Sequence, residues 1–408
     1  MTHKNIFIKR KNDFQNLIIS LPASKSISNR ALIIEALSKG DSELFNLSSA
    51  RDTQTMLRLL KSTEQVLDVL DAGTTMRFLT AFFTINGHNK TLTGSNRMKQ
   101  RPIGILVDAL RAIGGDIDYL ENENYPPIAI NGFSDLNLKS LSIKGDVSSQ
   151  YISALMMIAP LLSNGLIIHL EGKIGSRPYL EMTASVMSSF GVNVSFLGQT
   201  MDIRPQSYKG CEYVIEPDWS AASYWYSFVA LSNSSSITIK GLRLPSIQGD
   251  CVLVEMMKSL GVDTTFTDKG AILSKTTFVK DFSFDFTDCP DLAQTVAVIC
   301  AVKGIRIKMT GLESLRIKET DRISALQQEL KKIGAELIQH SNFWSVSPTN
   351  NIPKEVFINT YDDHRMAMAF APLAMLMDVN IEDPDVVNKS YPGFWEDLKL
   401  VGITSVRS

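Results

Sequence analysis

Six times along the chain a polar cluster gives way at once to a mostly apolar run of helical length. The runs begin at Ser26, Thr74, Ser148, Ser220, Asp291 and Asp363. From the second onward the starts lie 74, 72, 71 and 72 residues apart, the signature of a repeated supersecondary unit of about 72 residues. Runs such as Ile152-Ser153-Ala154-Leu155-Met156-Met157 are apolar on nearly every face, as expected of a helix enclosed by other elements. A second series interleaves with the first: amphipathic helices that stop at a glycine, at Gly114, Gly191, Gly261, Gly334 and the Val401-Gly402 pair. In the stripe Ile103, Leu106, Val107, Leu110, Ile113 the spacing gives one apolar face, and the glycine after it suits a left-handed C-cap. Short β-like runs follow, among them Asn193-Val194-Ser195-Phe196 and Glu336-Leu337-Ile338.

Each unit therefore reads as strand, buried helix, strand, amphipathic helix and a strand pair. The step from Ser26 to Thr74 is only 48 residues, so the first unit is expected to lack about one strand pair between Leu60 and Leu70. Six units divide into three plus three, with a boundary near Glu216-Pro217-Asp218.

At 408 residues and 44% hydrophobic content the chain can fill two sizeable cores. Lysine plus arginine (41) nearly balances aspartate plus glutamate (43), so bulk charge offers nothing to nucleic acid or an anionic membrane; any basic site must be local. Cys211, Cys251, Cys289 and Cys300 are scattered without a Cys-x-x-Cys pair, which argues against zinc or disulfides and suits a reducing compartment. The segment from Met1 to Phe14 is polar and basic, without the look of a signal or transit peptide, and no run reaches 18 apolar residues. The expectation is a cytoplasmic, metal-free and cofactor-free enzyme, monomeric and without a membrane span.

The helix starts carry the unusual residues. A helix N-terminus presents unpaired N–H groups and partial positive charge, which makes it an anion site. Ser, Thr and Asp there are ordinary caps, but Lys25, Arg30, Arg77 and Arg365 in the first turns work against the helix dipole. More cations gather in Arg97-Met98-Lys99-Gln100-Arg101-Pro102, Ser176-Arg177-Pro178-Tyr179 and Arg316-Ile317-Lys318-Glu319-Thr320-Asp321-Arg322. Together they suggest a convergent phosphate and carboxylate site. No Walker loop, Gly-x-Gly-x-x-Gly turn, Gly-x-Ser-x-Gly elbow or His-Glu-x-x-His helix is present, and of five histidines only His364 has a motif-like setting.

At these residues the chain resembles the enolpyruvyl transferases, and within them the branch acting on shikimate 3-phosphate. The matching segments run in order over almost the whole length: Leu21 to Arg30; Ala72 to Leu79; Leu92-Thr93-Gly94 through Arg101-Pro102; Ser148-Ser149-Gln150; Ser176 to Tyr179; Pro290-Asp291; Lys318 to Arg322; Asp363 to Ala367; and Asn388 to Pro392. The resemblance implies two inside-out α/β lobes, each of three βαβαββ repeats with helices inside and sheets outside. Residues 21–217 would form the N-terminal lobe; residues 1–20 with 218–408 would form the C-terminal lobe, the active site lying in the cleft between.

The implied reaction moves the enolpyruvyl group of phosphoenolpyruvate to the 5-hydroxyl of shikimate 3-phosphate by addition and elimination. By resemblance Lys25, Ser26, Arg30, Ser148, Ser149, Gln150, Ser176, Tyr179, Asp291 and Lys318 would hold shikimate 3-phosphate. Lys25, Gly73, Arg101, Gln150, Arg322, Arg365 and Lys389 would hold phosphoenolpyruvate. Asp291 is the candidate base toward the hydroxyl, while Lys25, Glu319 and Lys389 compete for the proton traffic at the methylene and the leaving phosphate. Plainer roles stand beside these: Asp291 as a cap, Glu319 as the i+3 partner of Arg322, Arg77 as a structural residue. Asp71 stands where the family usually has asparagine, adding negative charge beside the expected phosphoenolpyruvate site. Trp219 replaces a small residue, and Ser314 occupies a variable position. The sister transferase acting on UDP-N-acetylglucosamine lacks the Lys-Glu-Thr-Asp-Arg and Asp-His-Arg-Met patterns. A silent phospho-ligand binder, or a structural lobe of a larger assembly, would not need Lys25, Asp291, Glu319 and Lys389 together.

Overall fold

The structure, a computed structural model, describes residues 4–14, 17–400 and 402–407. Val401 of the last helix-stop pair and the first three residues of the basic N-terminal segment lie outside the described residues. Twelve α-helices are described: α1 (Lys25–Leu37), α2 (Arg51–Leu60), α3 (Gly73–Ile85), α4 (Gly104–Ile113), α5 (Ser149–Ile158), α6 (Arg177–Ser189), α7 (Trp219–Leu231), α8 (Leu253–Leu260), α9 (Ala293–Lys303), α10 (Arg322–Lys332), α11 (His364–Phe370) and α12 (Phe394–Leu400). The odd-numbered ones through α11 are the apolar runs. All of α11, and all but Ser220 of α7, is buried, because those sequences leave no polar face to turn toward water. The glycine stops take the left-handed conformation, with Gly114 and Gly261 serving as C-caps of α4 and α8.

The chain divides into two compact units: Ala23–Ile215, and the residues up to Pro22 together with Glu216 onward. In the first, α3 packs on α1 and on α5; in the second, α7, α9 and α11 pack on one another. Three sheets accompany each set of inner helices. Among the described residues, five of the six sheets are four-stranded and share one order. The first strand of a repeat lies parallel to the second, and the closing strand pair continues antiparallel, as in Val66–Asp68, Lys90–Thr93, Ile128–Phe133 and Gly115–Tyr119. A first strand parallel to the second needs a crossover, which the inner helix supplies.

The sixth sheet has two strands, Glu43–Phe45 and Glu212–Val214. Helix α2 runs directly to Val66–Asp68, the first strand of the next repeat, so among the described residues no strand pair closes the first repeat. Two strands serve a repeat remote in sequence. Leu17–Ser20 precedes α1 yet pairs with Ser236–Lys240 of the second unit, in register from Ile237 against Leu17. Glu212–Val214 precedes α7 yet pairs with Glu43–Phe45 of the first. Asn5–Ile8 completes the last repeat, lying between Asp378–Glu382 and Ser405–Arg407. Among the described residues no helix is long and apolar enough to cross a membrane.

Candidate active site

In the unit Ala23–Ile215 the helix starts are tied side chain to side chain. Gln150 Nε2 at the start of α5 donates to Thr74 Oγ1 at the start of α3, over 3.0 Å. Ser148 caps α5 through the Gln150 amide, and Ser149 is the first helical residue. Lys25 Nζ at the start of α1 lies 3.2 Å from a carboxylate oxygen of Asp52 in α2, a buried acid that the sequence reading did not single out. Its signal was present in Arg51-Asp52 at a helix start. Helix ends that converge in this way add their positive poles.

Arg101 lies close over Gly73. A Cβ on Gly73 would stand 2.7 Å from both terminal nitrogens of the Arg101 guanidinium, so only glycine admits that side chain over the start of α3. Arg77, buried one turn into α3, donates from Nη1 to the Gly73 carbonyl and from Nη2 to the Pro102 carbonyl; Tyr151 Oη donates to that same carbonyl. Arg77 thus fixes the backbone that carries Arg101.

Arg30 is 2% exposed and surrounded by neutral oxygens. Its donors reach Thr183 Oγ1, Ser153 Oγ and the carbonyls of Ser26 and Tyr179, with the Phe78 and Tyr179 rings alongside. Burial without a carboxylate partner among the described residues draws its pKa down to about 10. Ser26 remains part-exposed at the head of α1. Ser176 takes the left-handed conformation (φ 56°) immediately before α6, turning Arg177-Pro178-Tyr179 into the helix. Arg51 Nη2 reaches both oxygens of Asp71 at 2.9 Å, so the extra negative charge flagged in the sequence has a positive partner at its side.

The second unit gathers acids and bases at the starts of α9, α10 and α11. Arg322, 2% exposed, donates Nε to Asp363 (2.7 Å), Nη1 to Asp291 (3.0 Å) and Nη2 to Glu319 (2.8 Å). Arg365 Nη2 reaches the other Asp291 oxygen at 2.7 Å, and its Nη1 contacts the Tyr224 hydroxyl. Lys389 is buried, with Nζ 4.0 Å from Glu319. Lys318 adds a further positive charge felt by Asp291. Burial alone would raise the Asp291 carboxyl, but Arg365, Arg322 and Lys318 outweigh it and hold Asp291 well below the usual carboxylate range. Burial opposes charge on Arg322 too, and Asp363, Glu319 and Asp291 reverse that.

Local sequence explains the placement. Asp321 caps α10 through the Ile323 and Ser324 amides, setting Arg322 as the first helical residue. Asp363 caps α11 through the Arg365 amide and is presented by Tyr361 and Asp362, both left-handed. Such non-glycine residues cost about 1–3 kcal/mol each, strain that persists only where the surroundings impose it. Here the Tyr361 hydroxyl donates to buried Glu329. Asp291 sits in the short turn Pro290–Leu292 that leads into α9. Tyr224 and Asp363 join these residues; Asp363 was legible as part of a motif, whereas Tyr224 looked like one more apolar position of α7.

A carboxylate clamped between two arginines, with lysines and a second acid beside it, is suited to binding anions and moving a proton. A family model described as EPSP synthase (3-phosphoshikimate 1-carboxyvinyltransferase) matches residues 10–64 and 60–398. The chain belongs to the EPSP synthase family. A 3-phosphoshikimate 1-carboxyvinyltransferase of Bacteroides fragilis is 49% identical over 389 residues, 94% of this chain and 95% of the relative. One of Vibrio campbellii is 36% identical over 413 residues, 94% and 96% of the two chains. The solved EPSP synthase of Acinetobacter baumannii superposes with a TM-score of 0.80, covering 99% of this chain and 100% of that one; at 18% identity it attests the two-lobed α/β fold alone. In this EPSP synthase family member the Lys-Glu-Thr-Asp-Arg and Asp-His-Arg-Met segments are the ones that build the Arg322 and Arg365 network.

Proposed function

We propose that the chain transfers the enolpyruvyl group of phosphoenolpyruvate to the 5-hydroxyl of shikimate 3-phosphate, releasing phosphate, and that both compact units supply residues to that reaction. The observation that carries the reading is Asp291 held between Arg322 and Arg365. Two phosphate dianions about 6 Å apart repel by roughly 10 kcal/mol at an effective dielectric near 20, so fixed cations are the first requirement. Arg101, Arg322, Arg365, Lys25 and Lys389 meet it for phosphoenolpyruvate, with Gly73 leaving room for Arg101 and Gln150 lying between the substrates. Ser26, Arg30, Ser148, Ser149, Ser176, Tyr179 and Lys318 hold shikimate 3-phosphate.

In the unliganded chain Asp291 is too well paired to be a base. As the arginines turn toward the incoming phosphate and carboxylate, their hold on Asp291 weakens and its proton affinity rises, so binding itself activates the base for the hydroxyl proton. Lys25, Glu319 and Lys389 are the groups that pass protons to the methylene and the leaving phosphate. No metal or cofactor enters the scheme. The enzyme works as a monomer in the cytoplasm, a state that light scattering checks.

The test is phosphate release from phosphoenolpyruvate with shikimate 3-phosphate and, separately, with UDP-N-acetylglucosamine, each with a chelator present. Turnover with the first alone is expected; turnover only with the second, or none, overturns the reading.

A further inference from the structure

One of the six helix starts has no part in the scheme above, the start of α7. Asp218 caps it, and Ser220 in its first turn donates its hydroxyl to Asp250 Oδ2. Asp250 comes from the short turn Gly249–Val252 that leads into α8 and is 4% exposed. Its second oxygen, Oδ1, is buried without a hydrogen-bond partner among the described residues. A buried carboxylate oxygen with no donor is costly while ionised and tolerable once neutral. The charged groups that act on Asp250 are Asp291 at the start of α9, Arg365 at the start of α11 and Asp218 at the start of α7. Cys251 beside it and Cys289 before α9 are thiols whose ionisation its charge opposes, and Glu216 near Cys251 is occupied by Ser246 and Gln248.

We propose that Asp250 is a positioning residue for the Asp291–Arg365 pair: neutral, it leaves Arg365 to Asp291 and to the anionic substrate; ionised, it competes for Arg365 and weakens that substrate's binding. The inference rests on the function proposed above for Arg365. Burial, reinforced by Asp291, pushes the Asp250 carboxyl up to about 7, with the Ser220 hydrogen bond and Arg365 opposing. The competition therefore switches on as pH rises through neutrality.

The experiment compares KM for phosphoenolpyruvate in the wild-type chain and in Asp250→Asn across pH 5.5 to 8.5, at saturating shikimate 3-phosphate. Phosphate titrations of the substrates are common to both proteins and cancel in the ratio. The wild-type to variant KM ratio is expected to rise about three- to tenfold with an inflection near pH 7, the size of one added unit charge partly screened. In parallel, carbon NMR of aspartate-labelled protein should show one side-chain carboxyl titrating near neutrality that is missing in Asp250→Asn. Should that variant fail to fold, Ser220→Ala removes the hydrogen bond that favours the ionised form, and the wild-type inflection should move to higher pH. A flat ratio, or no aspartate carboxyl titrating between pH 5.5 and 8.5, or an inflection unmoved by Ser220→Ala, overturns the role of Asp250. Absence of any wild-type turnover overturns the function proposed above instead, while the NMR titration stands apart from it.

Discussion

A single methyl group separates a working Arg101 from a displaced one. In Gly73→Ala the new Cβ would meet the guanidinium at 2.7 Å, so Arg101 must move; KM for phosphoenolpyruvate is expected to rise about three- to tenfold while the thermal midpoint changes little. Equal KM values in the two proteins would show that Arg101 does not bind that substrate. Lys25→Met should abolish turnover, and it should also cost about 1–3 kcal/mol in urea unfolding, because it strips Asp52, only 4% exposed, of a partner. Asp71→Asn should do almost nothing. Its pair with Arg51 is solvent-facing, and such pairs contribute about 0–1 kcal/mol, so steady-state kinetics within twofold of wild type are expected. The sequence showed Asp71 as a foreign charge because Arg51, 20 residues away, is adjacent only in space.

At the level of elements, the decisive object is the knot of helix starts α9, α10 and α11 on Arg322. Three carboxylates, Asp291, Glu319 and Asp363, share this one guanidinium, whose rigid fork serves them together as an ammonium could not. Arg322→Met strips buried Asp363 of its guanidinium partner and removes one of the two from Asp291, and should destabilise the second unit by about 3–5 kcal/mol at neutral pH, measured by urea unfolding. Asp291, depressed in the fold, contributes stability that is complete above the ordinary carboxylate range and lost as pH falls through its lowered folded value. The Arg322→Met deficit should therefore shrink under acid conditions; a deficit independent of pH would place the loss in packing. Helix positions at these starts were readable in the sequence, since Asp363 is a cap followed by an apolar run and Asp321 a cap followed by an amphipathic one. Their mutual contacts were not, because residues 291 and 322, at the starts of two helices of one repeat, meet residue 363 only when the next repeat packs beside it.

For the whole molecule, the crossing of the chain between units has a consequence for folding. Residues 216–408 alone lack Asn5–Ile8 and Leu17–Ser20, and with them the core side chains Ile6, Ile8, Phe14 and Ile19. That fragment should fail to melt cooperatively, and fusing residues 1–22 to it should restore a single transition in circular dichroism. Equal melts for the two would mean that these strands are dispensable. The sequence by itself determined the sixfold series, the inner apolar helices, the glycine stops and the shortened first repeat, because each follows from local periodicity and backbone preference. It also brought out most of the charged residues in the two helix-start clusters, since cations in a first turn contradict the helix dipole and so stand out. Only the tertiary structure decided that Leu17–Ser20 and Glu212–Val214 pair with repeats other than the ones they precede. It alone decided that Asp52, Tyr224 and Asp250 stand beside Lys25, Arg365 and Ser220. Those are long-range pairings between residues of ordinary type, whose choice rests on burial and hydrogen bonding that no local pattern records.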